Sequence, residues 1–282
     1  MDGDTYLFID GEYLRQIHRQ AMLDFFGVDG ELDILEAKRE AGALRAFFYD
    51  SIDEGQRPGE TVEACRERTA PLHDFMNRTS ALSGVHVRLG TVTGKRRRQK
   101  EVDILLATDM LTHGFNGSMK NAVLLSGDLD FRPIVEALVR HGVFVEVWYH
   151  RTSIATELPT AADFGREIRF RQLYSWNTKS FQQKHRIPDD RRIASASVRS
   201  GNLVKSGSLA NWEWPVELYK WQGDRQQFEL WIGTGEWESI VIRDEDADLI
   251  DRYVQVQYSP LRWELGEQEL REMNDRAKGT GA

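Results

Sequence analysis

Short apolar runs alternate with stretches of helical period along residues 5 to 149, and that alternation leaves few folds open to this chain. The pattern predicts strands at 5–9, 44–49, 84–92, 121–125 and 143–149. Between them it predicts helices at 12–26, 59–80, 101–113 and 131–141. Strands that regularly take turns with helices cannot form hairpins, so they lie mainly parallel in a sheet covered on both faces. The expected fold class is therefore α/β, a Rossmann-like, doubly wound sheet. Asp10-Gly11-Glu12-Tyr13 after the first strand lacks the repeated glycines that a dinucleotide pyrophosphate needs, which disfavours a dinucleotide-binding domain.

In open α/β sheets, ligands sit beyond the carboxyl ends of the strands, and this chain puts acids there. Ala122–Leu125 is a buried-strand run broken by Ser126-Gly127. Apolar residues at 131, 134, 135 and 138, with Pro133 in the first turn, then mark a helix. Asp128 and Asp130 thus stand at a strand-to-helix turn. An Asp in such a turn is just as readily a helix cap, so the pair by itself decides nothing. Tyr6–Ile9, however, runs into Asp10-Gly11 in the same way, and Asp103 lies in the first turn of the helix that carries Val102, Leu105, Leu106 and Asp109 near one stripe. Four converging carboxylates repel one another unless cations lie among them. Oxygen donors without Cys or His suit hard ions, Mg²⁺ or Mn²⁺, rather than zinc.

Phe8-Ile9-Asp10-Gly11, then Lys100-x-Val102-Asp103 with Leu106 and Asp109, then Ser126-Gly127-Asp128-Leu129-Asp130-Phe131 with Pro133 and Val135, resemble the signature blocks of NYN domains. These belong to the PIN-like ribonuclease group that includes LabA-like proteins. Leu158 with Ala162-Asp163-Phe164 is similar to the closing block, and the resemblance spans about residues 4–175. It implies a Rossmann-like parallel sheet and metal-dependent cleavage of RNA, with Asp10, Asp103, Asp128 and Asp130 as catalytic and metal-binding residues. The chain departs from the pattern at Tyr13, where family members often carry Asn, and at Leu129, where a small residue often stands.

Around these acids the sequence offers supporting groups. Ser126 reads as a ligand-orienting or capping residue, since no His is paired with it locally. Tyr13, three residues past Asp10, reads as a supporting residue, and Asp109, six residues past Asp103, is turned well away from it on an ideal helix, so a structural or supporting role competes evenly with coordination. Lys95-Arg96-Arg97-Arg98 with Lys100 leads into the helix of Asp103. Beside a carboxylate–metal site, such a cluster fits phosphate contacts that position a backbone without reading its sequence. His73, His113, His141 and His150 read as surface or helix-end residues, and the lone Cys65 as a small buried one.

The full 282 residues exceed one typical domain. The first 176 form the expected NYN-like domain. Residues 178–206 carry seven Lys/Arg against two Asp, a net of +5, and read as a basic linker over 177–206. Residues 207–282 carry sixteen Asp/Glu against eight Lys/Arg, a net of −8, and six of the eight Trp. The β-prone runs 228–232, 237–242 and 253–258 predict a small antiparallel accessory domain, ending in a polar helix or frayed tail and suited to a protein partner or to oligomerisation. No apolar run approaches a membrane span and the acidic N-terminus is no signal peptide, so the expected location is cytoplasmic. The expected function is a metal-dependent endoribonuclease acting on single-stranded RNA. Its rivals are a weakly cleaving RNA-binding regulator and a DNA nuclease.

Overall fold

The computed structural model describes residues 4–90, 100–194 and 197–264, apart from 198, 200, 211, 223–225, 236 and 237. The chain forms two compact units, which divide between Lys184 and His185.

The first unit runs β1 (Thr5–Asp10), α1 (Gly11–Phe26), α2 (Ile34–Glu40), β2 (Arg45–Ser51), α3 (Val62–Ser80), β3 (Val85–Gly90), α4 (Lys100–Phe115), β4 (Asn121–Leu125), α5 (Arg132–Arg140), β5 (Phe144–Tyr149), α6 (Glu157–Thr160), β6 (Phe164–Glu167), α7 (Phe170–Ser175) and α8 (Lys179–Lys184). All strand pairs are parallel, in the order β3-β2-β1-β4-β5-β6. This is the α/β, Rossmann-like sheet that the alternation requires. The order runs outward from β1 in one direction and from β4 in the other, so the crevice between the ends of β1 and β4 is the topological switch point.

Both faces of the sheet are covered. Phe8, Phe47, Leu124 and Val147 pack with Val102, Leu106 and Met110 of α4 and Val135 and Leu138 of α5 in one core. The α4 stripe is therefore 102, 106 and 110; Leu105, expected on it, is 36% exposed. Leu7, Ile9 and Phe48 are buried along with Leu14 and Met22 of α1, and Trp148 stacks on Trp176 at 5.9 Å between ring centroids. Cys65 is buried, as its setting in α3 suggests. Helices α2, α6 and α7 and strand β6 escape the sequence pattern because each has seven residues or fewer, too short to display a period.

The second unit is a six-stranded antiparallel sheet made of β7 (Asp189–Ala194), β8 (Asn202–Leu209), β9 (Pro215–Gln222), β10 (Gln226–Gly233), β11 (Glu238–Asp244) and β12 (Leu261–Trp263). Their order is β12-β8-β9-β10-β11-β7, with α9 (Ala247–Gln257) between β11 and β12 in sequence. Two expectations are corrected here. The basic stretch 177–206 is not a linker: it supplies α8, β7 and most of β8, and Arg191 and Arg192 pair in register with Val241 and Ile240. Asp189, Asp190, Arg191 and Arg192 are consecutive charges on an edge strand in which only Asp190 is buried, and a count of charge reads such a run as loop. Residues 253–258, expected as a strand, form the second half of α9 and its C-terminal cap, Tyr258. Leu249, Ile250, Tyr253, Val254 and Gln257 are buried at helical spacing, and Asp246 caps the helix by accepting from the N–H groups of Asp248 and Leu249. The cap and the 3.6 period override β-propensity.

Asp190 of β7, 7% exposed, accepts hydrogen bonds from the Tyr253 hydroxyl at 2.8 Å and the Tyr258 hydroxyl at 2.7 Å. Asp190→Ala removes the carboxylate that accepts from both hydroxyls and should destabilise this unit by about 2–4 kcal/mol, read from urea unfolding followed by tryptophan fluorescence. An unchanged midpoint would return the stretch to a linker role.

Candidate functional site

Asp10 closes β1 and opens α1. Its Oδ1 accepts from the Tyr13 backbone N–H at 3.1 Å, as a helix cap, and its Oδ2 accepts from the Ser126 hydroxyl at 3.1 Å. Ser126 follows β4, is fully buried, and its oxygen also accepts from the Asp128 N–H at 3.2 Å. Asp128 in turn accepts from the Asp130 N–H at 3.0 Å. One hydroxyl thus links the acidic tips of β1 and β4 across the switch point. Asp128 takes the capping role that the sequence left open, Ser126 orients Asp10 instead of capping a helix, and Asp128 and Asp130 remain exposed.

Tight approaches hold these turns. A Cβ on Gly127 would lie 1.9 Å from the Ser153 carbonyl oxygen and 2.7 Å from the Tyr13 ring. A Cβ on Gly11 would lie 2.6 Å from the Phe48 ring and from the Tyr49 carbonyl oxygen. Tyr13 also accepts from the His150 backbone N–H at 2.8 Å, and burial pushes its phenol up to about 12. The residue that departs from the family pattern therefore ties the first turn of α1 to the end of β5.

The electrostatics show which acids share space. Burial raises Asp10 from 3.8 to about 6, and the charges of Asp103 and Asp50 add to this against the two hydrogen bonds. Asp103, in the first turn of α4, is also raised, first by burial and then by Asp128, Asp130 and Glu12. The fold therefore gathers all four expected acids into one field. Their side chains are not closed around a common point: among the described residues, no group of three or more His, Cys, Asp or Glu is placed to hold a metal ion. As donors, these oxygens fit a hard divalent cation, whose charge would offset the repulsion that lifts Asp103.

Asp109 is placed elsewhere. It accepts from the Tyr49 hydroxyl at 2.9 Å and pairs with Arg88 at 3.4 Å, a structural tie between α4 and the β2–β3 pair. Asp50 went unnoticed in the sequence. It ends β2 fully buried and takes a two-pronged contact from Arg15, at 2.7 and 3.0 Å. Its signal was there, since Phe47-Phe48-Tyr49-Asp50 is an apolar strand tipped by an acid, just like Phe8-Ile9-Asp10. Lys95, Arg96, Arg97 and Arg98 lie outside the described residues, as does the side chain of Lys100, which opens α4.

The family model of the NYN domain matches residues 4–168, more than half of the chain. The chain belongs to the NYN domain family. NYN domains are PIN-like nuclease domains, which generally use divalent metals, so at that level the chain is a nuclease-type hydrolase with a nucleic-acid substrate. The second unit has no family match. No curated protein matches the chain. A solved structure of a Vibrio parahaemolyticus protein of unknown function is similar at a TM-score of 0.41 and 15% identity, over 60% of this chain and 95% of that one. No helix among the described residues is long and apolar enough to cross a membrane.

Two outcomes follow for the NYN domain. The folded protein holds Asp10 at about 6 against an ordinary 3.8, so its ionised form costs folding free energy at every pH above 6, and the cost disappears as pH falls through 6 towards 3.8. Asp10→Asn should accordingly stabilise the metal-free protein by about 1–3 kcal/mol at neutral pH, with the gain shrinking below pH 6 in denaturant titrations. A gain that grows on acidification would reverse the assignment. Gly127→Ala, by contrast, should cost about 2 kcal/mol or more in thermal melts, because its new methyl meets backbone rather than a movable side chain.

Proposed function

We propose that the NYN domain is a metal-dependent endoribonuclease that hydrolyses RNA phosphodiester bonds, with Asp10, Asp103, Asp128 and Asp130 holding Mg²⁺ or Mn²⁺. The observation that carries this reading is the set of four carboxylates around the switch point, where Asp103, raised first by burial and then by the charges of Asp128 and Asp130, in turn adds to the rise of Asp10. A bound divalent ion would supply charge neutralisation at the scissile phosphate and a water acidified for attack. The protein's own groups supply the positioning. Ser126 and the Tyr13 N–H hold both oxygens of Asp10, and the Asp130 N–H holds one oxygen of Asp128, which presets the acids instead of ordering them at the moment of reaction. Exposure of Asp128 and Asp130 leaves the substrate side of the cluster open.

One observation favours a second reading, a weakly cleaving RNA-binding protein: the four side chains do not enclose an ion-sized point. Cleavage assays separate the two. In Mg²⁺ or Mn²⁺ the full chain should cleave single-stranded RNA at internal positions, faster than DNA of the same sequence. Asp128→Asn should lower the rate by roughly two orders of magnitude with an unchanged circular dichroism spectrum. Near-normal cleavage by the variant would remove Asp128 from the mechanism, RNA binding without metal-dependent turnover would favour the second reading, and preferred cleavage of DNA would change the substrate.

A further inference from the structure

A cleft of about 1300 Å³ lies between α1 and α3 and opens beside the carboxylates. Glu12, Asp50 and Ser51 are at its mouth end. Glu12 lies two residues past Asp10 in the first turn of α1, and Asp50 lies one residue past Tyr49, the register partner of Asp10, so this end of the cleft adjoins the acidic tip of β1. Small-molecule sites occupy roughly 300–1,000 Å³. This cleft is larger and open, which fits a polymer.

Five arginines and five acids line it; among the acids, Glu31 accepts from the hydroxyls of Thr178 and Ser180, Asp53 accepts from the Gly55 N–H, and Glu12 stands at the end nearest Asp10. Arg15 is paired with Asp50 and Arg19 with Asp29, so these four cancel within the wall. Arg68 bonds Glu60 and the carbonyls of Asp53 and Gly55, which shapes the loop that presents Arg57. Arg57 and Arg78 line the same cleft, and both are exposed. Among the described residues neither guanidinium makes a hydrogen bond or an ion pair within 4.0 Å, although Arg57 is near enough to help lower Glu60. Between them α3 contributes the half-buried Leu72 and Phe75, an apolar surface in a cleft otherwise lined by charge. His18 is also in the wall, 3% exposed, with its Nε2 lacking a hydrogen-bond partner among the described residues. Uncommitted arginines beside a half-buried aromatic ring are what an unpaired strand requires: cations for its phosphates and a flat apolar face for its bases. A double helix would bury its bases away from Phe75.

We propose that the α1–α3 cleft is the track that leads an unpaired RNA strand to the carboxylates, with Arg57 and Arg78 on its phosphates and Phe75 and Leu72 against its bases. The track rests on the ribonuclease reading above for its direction, since it ends at Asp10. Its residues are other than Lys95–Arg98, which lie outside the described residues.

The test uses the full chain, a fluorescent oligouridylate and a chelator, so that binding is read without cleavage. Arg57→Ala/Arg78→Ala should weaken binding and make the slope of log affinity against log salt shallower by about 1.4, roughly 0.7 for each lost contact on a single strand. Arg57→Lys/Arg78→Lys should retain most of the slope, because an ammonium still neutralises a phosphate. A wild-type slope in the double-Ala protein overturns the track, and if that protein also cleaves RNA in Mg²⁺, the ribonuclease reading stands without it. An arginine-dependent slope in a wild-type protein that never cleaves supports the track and removes the ribonuclease reading instead. Absence of any binding by the wild type overturns both.

Discussion

The parallel pairing of β1 with both β2 and β4 is the constraint on which the rest of the first unit depends. In that register Ile9 is level with Phe48 and with Leu125, so Asp10, Tyr49 and Ser126 follow together at one edge of the sheet, with Asp50 one residue further along β2. Five consecutive residues of β1 are buried, because helices cover both faces, and that burial fixes the strand against slippage. A shift of one residue would turn Phe8 out of its core and move Asp10 away from Ser126.

At that edge the fold accepts an electrostatic cost. Burial and neighbouring charge hold Asp10 and Asp103 above their ordinary ionisation range, while hydrogen bonds from Tyr13 and Ser126 pull Asp10 the other way. Sites in which carboxylates are pushed upward by one another are candidates for chemistry, whereas a paired acid such as Asp50 or Asp109 is better explained by stability. The distinction lies in partners. Asp50 has Arg15, Asp109 has Tyr49 and Arg88, and among the described residues the acids of the switch point have each other and backbone or hydroxyl donors.

The second unit follows a different principle. Its antiparallel strands β8 to β11 meet their sequence neighbours directly, so local turns suffice to build them. Strand β7 adds to β11 at the edge and is tied to α9 through Asp190, while Arg186 pairs with Asp244. Charge segregation along the chain therefore does not mark a boundary between folded and linking segments. The basic segment and the acidic remainder face each other within one sheet, where opposite charges such as Arg192 and Glu238 meet.

The sequence by itself determined the parallel sheet and the acids at its rim, because period and turn chemistry are local. Ala122–Leu125 followed by Ser-Gly-Asp has few other ways to fold, and the ordered NYN blocks narrowed these further. Only the tertiary structure decided which acids belong together. Asp10, Asp50 and Asp109 look alike on paper, and what separates them is Arg15 arriving from α1 and Tyr49 from β2, contacts made across 35 and 60 residues. The edge strand β7 and the helix at 247–257 were decided in the same way. Their side chains have weak or contrary local preferences, and the partner surfaces that override them exist only once the sheet has formed.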